Sequence, residues 1–179
     1  MRCVAAIAAV LLVSPLPVVA QTAGGQAGTV APGAPVTTAT EYLAAAAAGD
    51  LYERTSSELV MRGEGGSAEV RQFAQKMVVD HQNMSVQLRT AAEGAGLRMG
   101  VPVMTPQQQA MIEQLQAASG AQRERIYLTQ QVTAHRQALA LHQGYAAGGD
   151  RPELQALART AAQVVEGHLL ELQRLTSGG

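Results

Sequence analysis

The stretch VRQFAQKMVVDHQNMSVQLRTAA, from Val70 to Ala92, decides the fold that we predict for this chain. Its apolar residues recur at intervals of three and four, with His81 filling the one gap: Val70, Phe73, Met77, Met84, Leu88 and Ala91. This spacing places them in one narrow stripe along a helix of about six turns. Such a helix is not stable alone in water, so it needs partner helices.

Capping and glycine signals divide the rest of the chain into further helices. Four long helices are predicted, with approximate bounds 38–62, 67–94, 121–147 and 150–175. Thr105-Pro106-Gln107-Gln108 combines a capping threonine, proline at the first helical position and glutamine at the capping-box position, so it begins a short helix. This short helix ends at Gly120. Aromatic residues make up only 3% of the chain, and this low aromatic content favours closely packed helices over sheets.

We therefore predict an all-α fold, a ferritin-like four-helix bundle with a short extra helix in the long connector between the second and third long helices. Short loops pair the long helices into two antiparallel hairpins. The connector is long enough to cross the bundle lengthwise. In that arrangement we expect the first and third long helices to begin at the same end, with both hairpin tips together. A plain up-down-up-down bundle is the alternative.

The N-terminus has the pattern of a signal peptide, which we assign to residues 1–20. Arg2 provides the positive start, an apolar run follows at residues 4–13, and small residues precede Gln21. An uncleaved anchor helix is the alternative, but the apolar run is short for a membrane span. Cleavage removes Cys3, the only cysteine, and so excludes disulfides and cysteine-ligated metal. We predict export to the periplasm or the extracellular space, which is compatible with association with the outer membrane.

The mature chain then has three predicted parts: a flexible linker at 21–39, the bundle at 40–175 and a disordered tail at 176–179. The linker contains Gly, Ala, Pro and Thr without periodicity. We expect no integral membrane span in the mature chain. A formal net charge of −1 provides no basic surplus for nucleic acid. The sequence identifies no protein partner, and a homo-oligomer is compatible with it.

Histidines interrupt the apolar stripes of the long helices. All four histidines of the chain lie on seams predicted to face the core: His81, His135, His142 and His168. Glu53 lies on one seam of the first helix. Counted from the hairpin tips, Glu53 and every histidine except His142 fall in the middle of the bundle. On the same count Glu53 and His168 differ in height by roughly 10 Å, so we do not expect one ion to touch all four mid-bundle residues.

Two interpretations of this polar layer stay open. One is a non-catalytic metal site in a stress-related envelope protein. The site would hold Cu, Zn or Fe through Glu53, His81, His135 and His168. Asp80 points about 100° away from His81, so it suits a hydrogen-bond partner of a ligand rather than a ligand. The other interpretation is a structural or interaction bundle whose core histidines only set helix register.

Catalysis has weaker support in the sequence. Di-iron bundles use Glu-x-x-His on two helices, and no helix here provides that motif at its mid-bundle histidine. A redox enzyme therefore ranks last, and no catalytic residue is predicted.

Met77 and Met84 share a helix face with His81 and are possible soft ligands for Cu(I), although methionine in such a core is usually filler. Arg123, with its charged neighbours at 124 and 125, is predicted to form a solvated turn.

Several motifs together resemble those of a known family. They are Ala47-Ala48-Gly49 followed by Glu53, Val70-x-x-Phe73-Ala74-x-x-Met77-Val78-x-Asp80-His81, Tyr127-Leu128 followed by Gln131-Val132-x-x-His135, and His168-Leu169. The chain resembles, over about residues 40–175, the exported bacterial family called domain of unknown function 4142. Its members often carry the label outer-membrane protein and are assigned to the ferritin-like superfamily. The resemblance implies the fold and export, and it implies no established activity. The positions that match are Glu53, Asp80, His81, His135 and His168.

Overall fold

The structure, a computed structural model, describes residues 38–63 and 66–177. These residues form five α-helices and no strand: α1 (Ala39–Arg62), α2 (Ala68–Gly94), α3 (Pro106–Ala117), α4 (Gly120–Gly148) and α5 (Pro152–Ser177). The predicted all-α bundle, with its short extra helix, is confirmed. The predicted signal peptide, and the predicted linker as far as residue 37, lie outside the described residues. Helix α5 continues through Ser177, so it extends into the segment predicted to be a disordered tail.

Polar side chains begin the helices where the sequence predicts. The side chain of Thr38 accepts a hydrogen bond from the Glu41 amide at the start of α1, and Ser67 caps α2 in the same way. Thr105 and Gln108 form both bonds of the capping box that begins α3. Because the first amides of a helix have no partner inside the helix, these contacts fix where each helix begins.

The four long helices form a closed square of neighbours. Helix α1 packs against α2 and α4, and α5 packs against α2 and α4, while α3 covers one side of α1 and α4. Tyr42 near the start of α1 contacts His142 near the end of α4, and Leu59 near the end of α1 contacts Arg123 near the start of α4. Helices α1 and α4 are therefore antiparallel, whereas α2 and α4 run in the same direction.

This topology corrects one of our expectations. The connector does cross the bundle lengthwise, which is the single long crossover of ferritin-like bundles. A crossing connector returns the chain to the end where α2 began, so α1 and α4 begin at opposite ends and the two hairpin tips lie at opposite ends. The expected difference in height between Glu53 and His168 was therefore wrong. Glu53 in α1 and His168 in α5 lie a similar number of residues from the starts of their helices, and these two helices begin at the same end of the bundle.

Two apolar clusters close the two ends of the bundle. At one end Tyr42 stacks on Tyr145 with ring centroids 4.1 Å apart, and at the other end Phe73 packs edge-on against Tyr127. All four of these rings are fully buried. Buried polar residues lie between the two clusters, in the middle of α1, α2, α4 and α5. The polar layer is thus sealed from solvent at both ends.

The start of α4 is not the solvated turn that we expected. The Arg123 guanidinium donates to the carbonyl of Leu59 at the end of α1 and to two carbonyls at the end of α3. The Glu124 carboxylate accepts a hydrogen bond from the amide of Ser67 at 2.6 Å. Helix ends carry backbone groups without a partner inside the helix, and these two side chains satisfy several of them. Only Arg125 stays exposed as predicted.

No helix in the described part of the chain is long and apolar enough to cross a membrane.

Candidate metal centre

Three buried histidines from three helices meet in the middle of the bundle. They are His81 of α2, His135 of α4 and His168 of α5, and none is more than 3% exposed. Each offers one ligand nitrogen, and these three atoms all lie within 4.8 Å of one another. One pair, Nε2 of His135 and Nδ1 of His168, is 3.2 Å apart. Bonds of about 2.0 Å place neighbouring ligand atoms roughly 2.8 Å apart at 90° and roughly 3.3 Å apart at the tetrahedral angle, so the spacing of this pair falls in the range for metal ligands.

The outer nitrogen of each histidine is held by a hydrogen bond that faces away from the cluster. The pairs are His81 Nδ1 with Asp50 Oδ1 at 2.9 Å, His168 Nε2 with Asp80 Oδ2 at 2.9 Å, and His135 Nδ1 with the Gln131 carbonyl at 3.0 Å. Carboxylate and carbonyl oxygens accept, so these nitrogens carry the proton of a neutral ring. The inward nitrogens therefore present lone pairs to one another.

When all three rings are neutral, the converging lone pairs leave the centre of the cluster without a donor. Two neutral imidazoles cannot hydrogen-bond between His135 Nε2 and His168 Nδ1, because each offers only an acceptor there. The inward Nε2 of His81 is buried and has no hydrogen-bond partner among the described residues. Buried polar atoms normally have partners. A cation at the centre would satisfy all three nitrogens together.

Burial keeps two of the three rings in the neutral form. It lowers the pKa of His168 to about 4 and, together with the neighbouring His81 and His168, holds the pKa of His135 well below its usual range. Burial also lowers the pKa of His81, but the hydrogen bond to Asp50 and the nearby carboxylates more than compensate, so the net shift is upward. Neutral imidazole is the form that binds metal. His135 and His168 are therefore ready to act as ligands at neutral pH.

Comparison with known sequences places the chain in a family. The sequence model of the family described as Domain of unknown function (DUF4142) matches residues 24–175. The chain belongs to this family. The resemblance inferred from the motifs is thus confirmed. No curated protein sequence matches the chain.

Two solved structures share the bundle fold of this DUF4142 chain. The crystal structure of a DUF305 fragment from Deinococcus radiodurans aligns with a TM-score of 0.69 and 16% identity, covering 79% of this chain and 96% of that one. CopM in the Cu(II)-bound form aligns with a TM-score of 0.65 and 14% identity, covering 79% and 97%. Identities this low show a common fold alone.

The structure places the other predicted site residues around the cluster. Asp80 pairs with His168 of the opposite hairpin rather than with its neighbour His81, and it also binds Lys76. Glu53 is buried, and its Oε1 lies 3.4 Å from the outer nitrogen of His135. It does not belong to the group of converging ligand atoms. Burial raises the pKa of Glu53 to about 7.

Sequence reasoning missed the role of Asp50. This carboxylate is 5% exposed, and it accepts hydrogen bonds from both His81 and the Ser85 hydroxyl. A usable signal was present, because Asp50 lies three residues before Glu53 on the same helix seam and a buried carboxylate needs a partner. The carbonyl of Gln131 also holds a ring, but a backbone contact of this kind leaves no trace in the residue type.

His142 stays outside the cluster, as its depth in the bundle predicts. Its Nδ1 lies 3.1 Å from the hydroxyl of Tyr42, and burial lowers its pKa from 6.5 to about 4. The unfolded chain therefore takes up a proton on His142 near pH 6.5, whereas the folded chain does so only near pH 4. The contribution of His142 to stability is full above pH 6.5 and is lost as the pH falls toward 4.

His142→Gln should remove this acid sensitivity, because glutamine can still accept a hydrogen bond from Tyr42 but does not titrate. Between pH 7 and pH 5 we expect the metal-free wild type to lose about 2 kcal/mol more of its free energy of unfolding than the variant. Urea unfolding at both pH values measures this difference. Equal losses in the two proteins would show that His142 does not resist protonation in the fold.

Proposed function

We propose that this protein binds a single transition-metal ion, Cu(II) before others, through His81, His135 and His168. The observation that carries this proposal is the convergence of three buried imidazole nitrogens. The other nitrogen of each ring is fixed by a hydrogen-bond acceptor. Metal-binding histidines in proteins commonly have this second hydrogen bond, which fixes the tautomer and makes the ligand more basic. Histidines that only set helix register do not need their lone pairs to meet at one point.

The choice of copper rests on ligand chemistry. Imidazole suits Cu, Zn, Fe and Ni, and Cu(II) has the highest affinity of the divalent first-row ions for a given nitrogen site. The common fold with CopM in the Cu(II)-bound form supports the same choice. Iron is less suitable, because the converging group contains no carboxylate. Three protein ligands also leave a coordination position for water or another small ligand.

The residues around the cluster have supporting roles in this proposal. Asp50 and Asp80 orient His81 and His168 and place negative charge beside a bound cation. Glu53 lies behind His135 and adds a third carboxyl group to the polar layer. A bound cation would thus pair with carboxylates and lone pairs that are costly to bury between the two apolar clusters.

We also propose that the protein works outside the cytoplasm, in the periplasm or beyond. The support is the signal-peptide pattern of residues 1–20, with Arg2, an apolar run and small residues before Gln21. A buried histidine site without cysteine suits an oxidising compartment, where Cu(II) is available and thiolates form disulfides. Sequestering copper under metal stress is the role that this placement supports best.

Elemental analysis of the mature protein tests the proposal, using protein purified without an affinity tag or chelator. Wild type should carry about one copper ion per chain after exposure to Cu(II), His81→Ala should carry none, and His142→Ala should keep the ion. His142→Ala is the matched control, because it removes another buried core histidine outside the cluster.

A wild type that binds neither copper, zinc nor iron would contradict the metal site. The histidine layer would then be structural, and His81→Ala would lower stability without any ion to lose.

A further inference from the structure

A cavity of about 280 Å³ leads from the surface to the histidine cluster between α1, α3 and α4. Its rim is formed by exposed residues and its floor by buried ones: Ala45, Gln107 and Gln137 at the rim, and Asp50, Glu53 and His81 at the floor. Alanines and one glycine line much of its walls, so no large side chain fills the space between α1 and α4 there. Six waters occupy roughly 180 Å³, so a hydrated metal ion fits in this space.

Residues at the floor of this cavity carry polar atoms that the fold leaves unsatisfied. Oε2 of Glu53 and Nε2 of His81 are both buried without a hydrogen-bond partner among the described residues. Asp50 and Glu53 are acidic, although Glu53 is only about half ionised near pH 7, and no Lys or Arg lines the cavity in the part of the chain that the structure describes. A cleft with one sign of charge and low-dielectric walls concentrates ions of the opposite charge. The cavity therefore attracts cations and repels anions.

Three other approaches to the cluster are obstructed. The two apolar clusters cover it from the ends of the bundle. On the face between α2 and α5, Asp80 is bound to both His168 and Lys76, whose ammonium lies 2.8 Å from the carboxylate. A cation arriving from this side meets a positive charge and a carboxylate that already has two partners.

We propose that this cavity is the route by which a hydrated divalent cation reaches and leaves the histidine cluster. The inference rests on the proposed metal site and adds how that site is filled. Asp50 and Glu53 attract the ion at the floor, and His81 is the histidine of the cluster that lines the cavity.

Substitutions in the cavity walls test this route. Gly49 lines the cavity from α1, and a Cβ added there meets nothing within 4 Å, so Gly49→Leu places a side chain in open space. Ala138→Leu narrows the cavity from the opposite wall on α4 and provides a second, independent block. Gly144→Leu is the matched control, because this helix glycine also leaves room for a Cβ but does not line the cavity.

The rates of Cu(II) uptake by the metal-free mature protein, and of copper loss to excess EDTA, are measured by stopped flow. Equilibrium affinity is measured by chelator competition. Gly49→Leu and Ala138→Leu should slow uptake and release alike, on the order of tenfold, with affinity unchanged, since the ion must wait for local opening of the bundle. Gly144→Leu should behave as wild type.

Two failures are distinguishable. Unchanged rates and affinity in both wall variants would overturn the route while leaving the metal site intact. A wild type that takes up no copper, zinc or iron would overturn the proposed site and the route together.

Discussion

Excess Cu(II) should raise the midpoint of thermal unfolding of the metal-free protein by about 10 °C. A ligand that binds only the folded state stabilises it by about 4 kcal/mol when its concentration is a thousand times its Kd. The cluster draws His81, His135 and His168 from three helices, and this geometry is lost in the unfolded chain. Differential scanning calorimetry at pH 7, with and without copper, measures the shift.

Two variants make this result specific. His168→Ala should show no shift with copper, because it removes one of the three converging nitrogens. His142→Ala should show nearly the full shift, since His142 bonds to Tyr42 outside the cluster. A full shift in His168→Ala would mean that copper stabilises the fold from some other place, which would contradict the proposed ligands.

Asp50→Asn should weaken copper binding about 10- to 100-fold, the usual effect of losing a hydrogen-bond partner of a metal-binding histidine. Asp50 accepts from His81 with one oxygen and from Ser85 with the other. Asparagine keeps only one acceptor, so its amide group must face one of these two donors. We also expect a loss of about 1–3 kcal/mol in the free energy of unfolding, because the charge-assisted hydrogen bonds of the carboxylate become neutral ones.

Chelator competition and urea unfolding measure the two effects of Asp50→Asn separately. Asp150→Asn provides the matched control, because Asp150 bonds to the Tyr145 hydroxyl at the far end of the bundle. It should lower stability to a smaller extent and leave copper affinity unchanged. Reduced stability with full copper affinity in Asp50→Asn would show that Asp50 holds the fold but does not support a ligand.

The helices could be predicted from the sequence because each pattern that indicates them is local. The stripe from Val70 to Ala92 and the caps at Thr38, Ser67 and Thr105 depend on residues one or two turns apart. Helix α1 was the exception, since its polar and apolar residues fit two seams. The structure buries the seam that contains Asp50 and Glu53 and leaves Met61 of the other seam exposed, and because α1 packs against α2, α3 and α4 it also buries residues beside that seam. A helix with three neighbours has no narrow stripe to detect.

The site was readable only in part. Periodicity places histidines on core-facing seams, and it separates His142 from the others by depth. It does not fix how far each helix is rotated, so it could not show that Asp80 reaches His168 across the bundle while Asp50 holds His81. The relative height of Glu53 and His168 depended on the end of the bundle at which the crossover connector places the start of α4. That is a property of topology, and no single helix encodes it.

The crossover topology gives a bound ion a mechanical role. His81 belongs to the first hairpin, whereas His135 and His168 belong to the second, so one ion would join hairpins that are separated along the chain by the connector. Closing so long a loop restricts the unfolded chain much as a disulfide does. Cys3, the only cysteine, lies in the predicted signal peptide, so a bound metal would give the mature chain a cross-link that it cannot make from sulfur, and the two hairpins would stay joined until the ion departs.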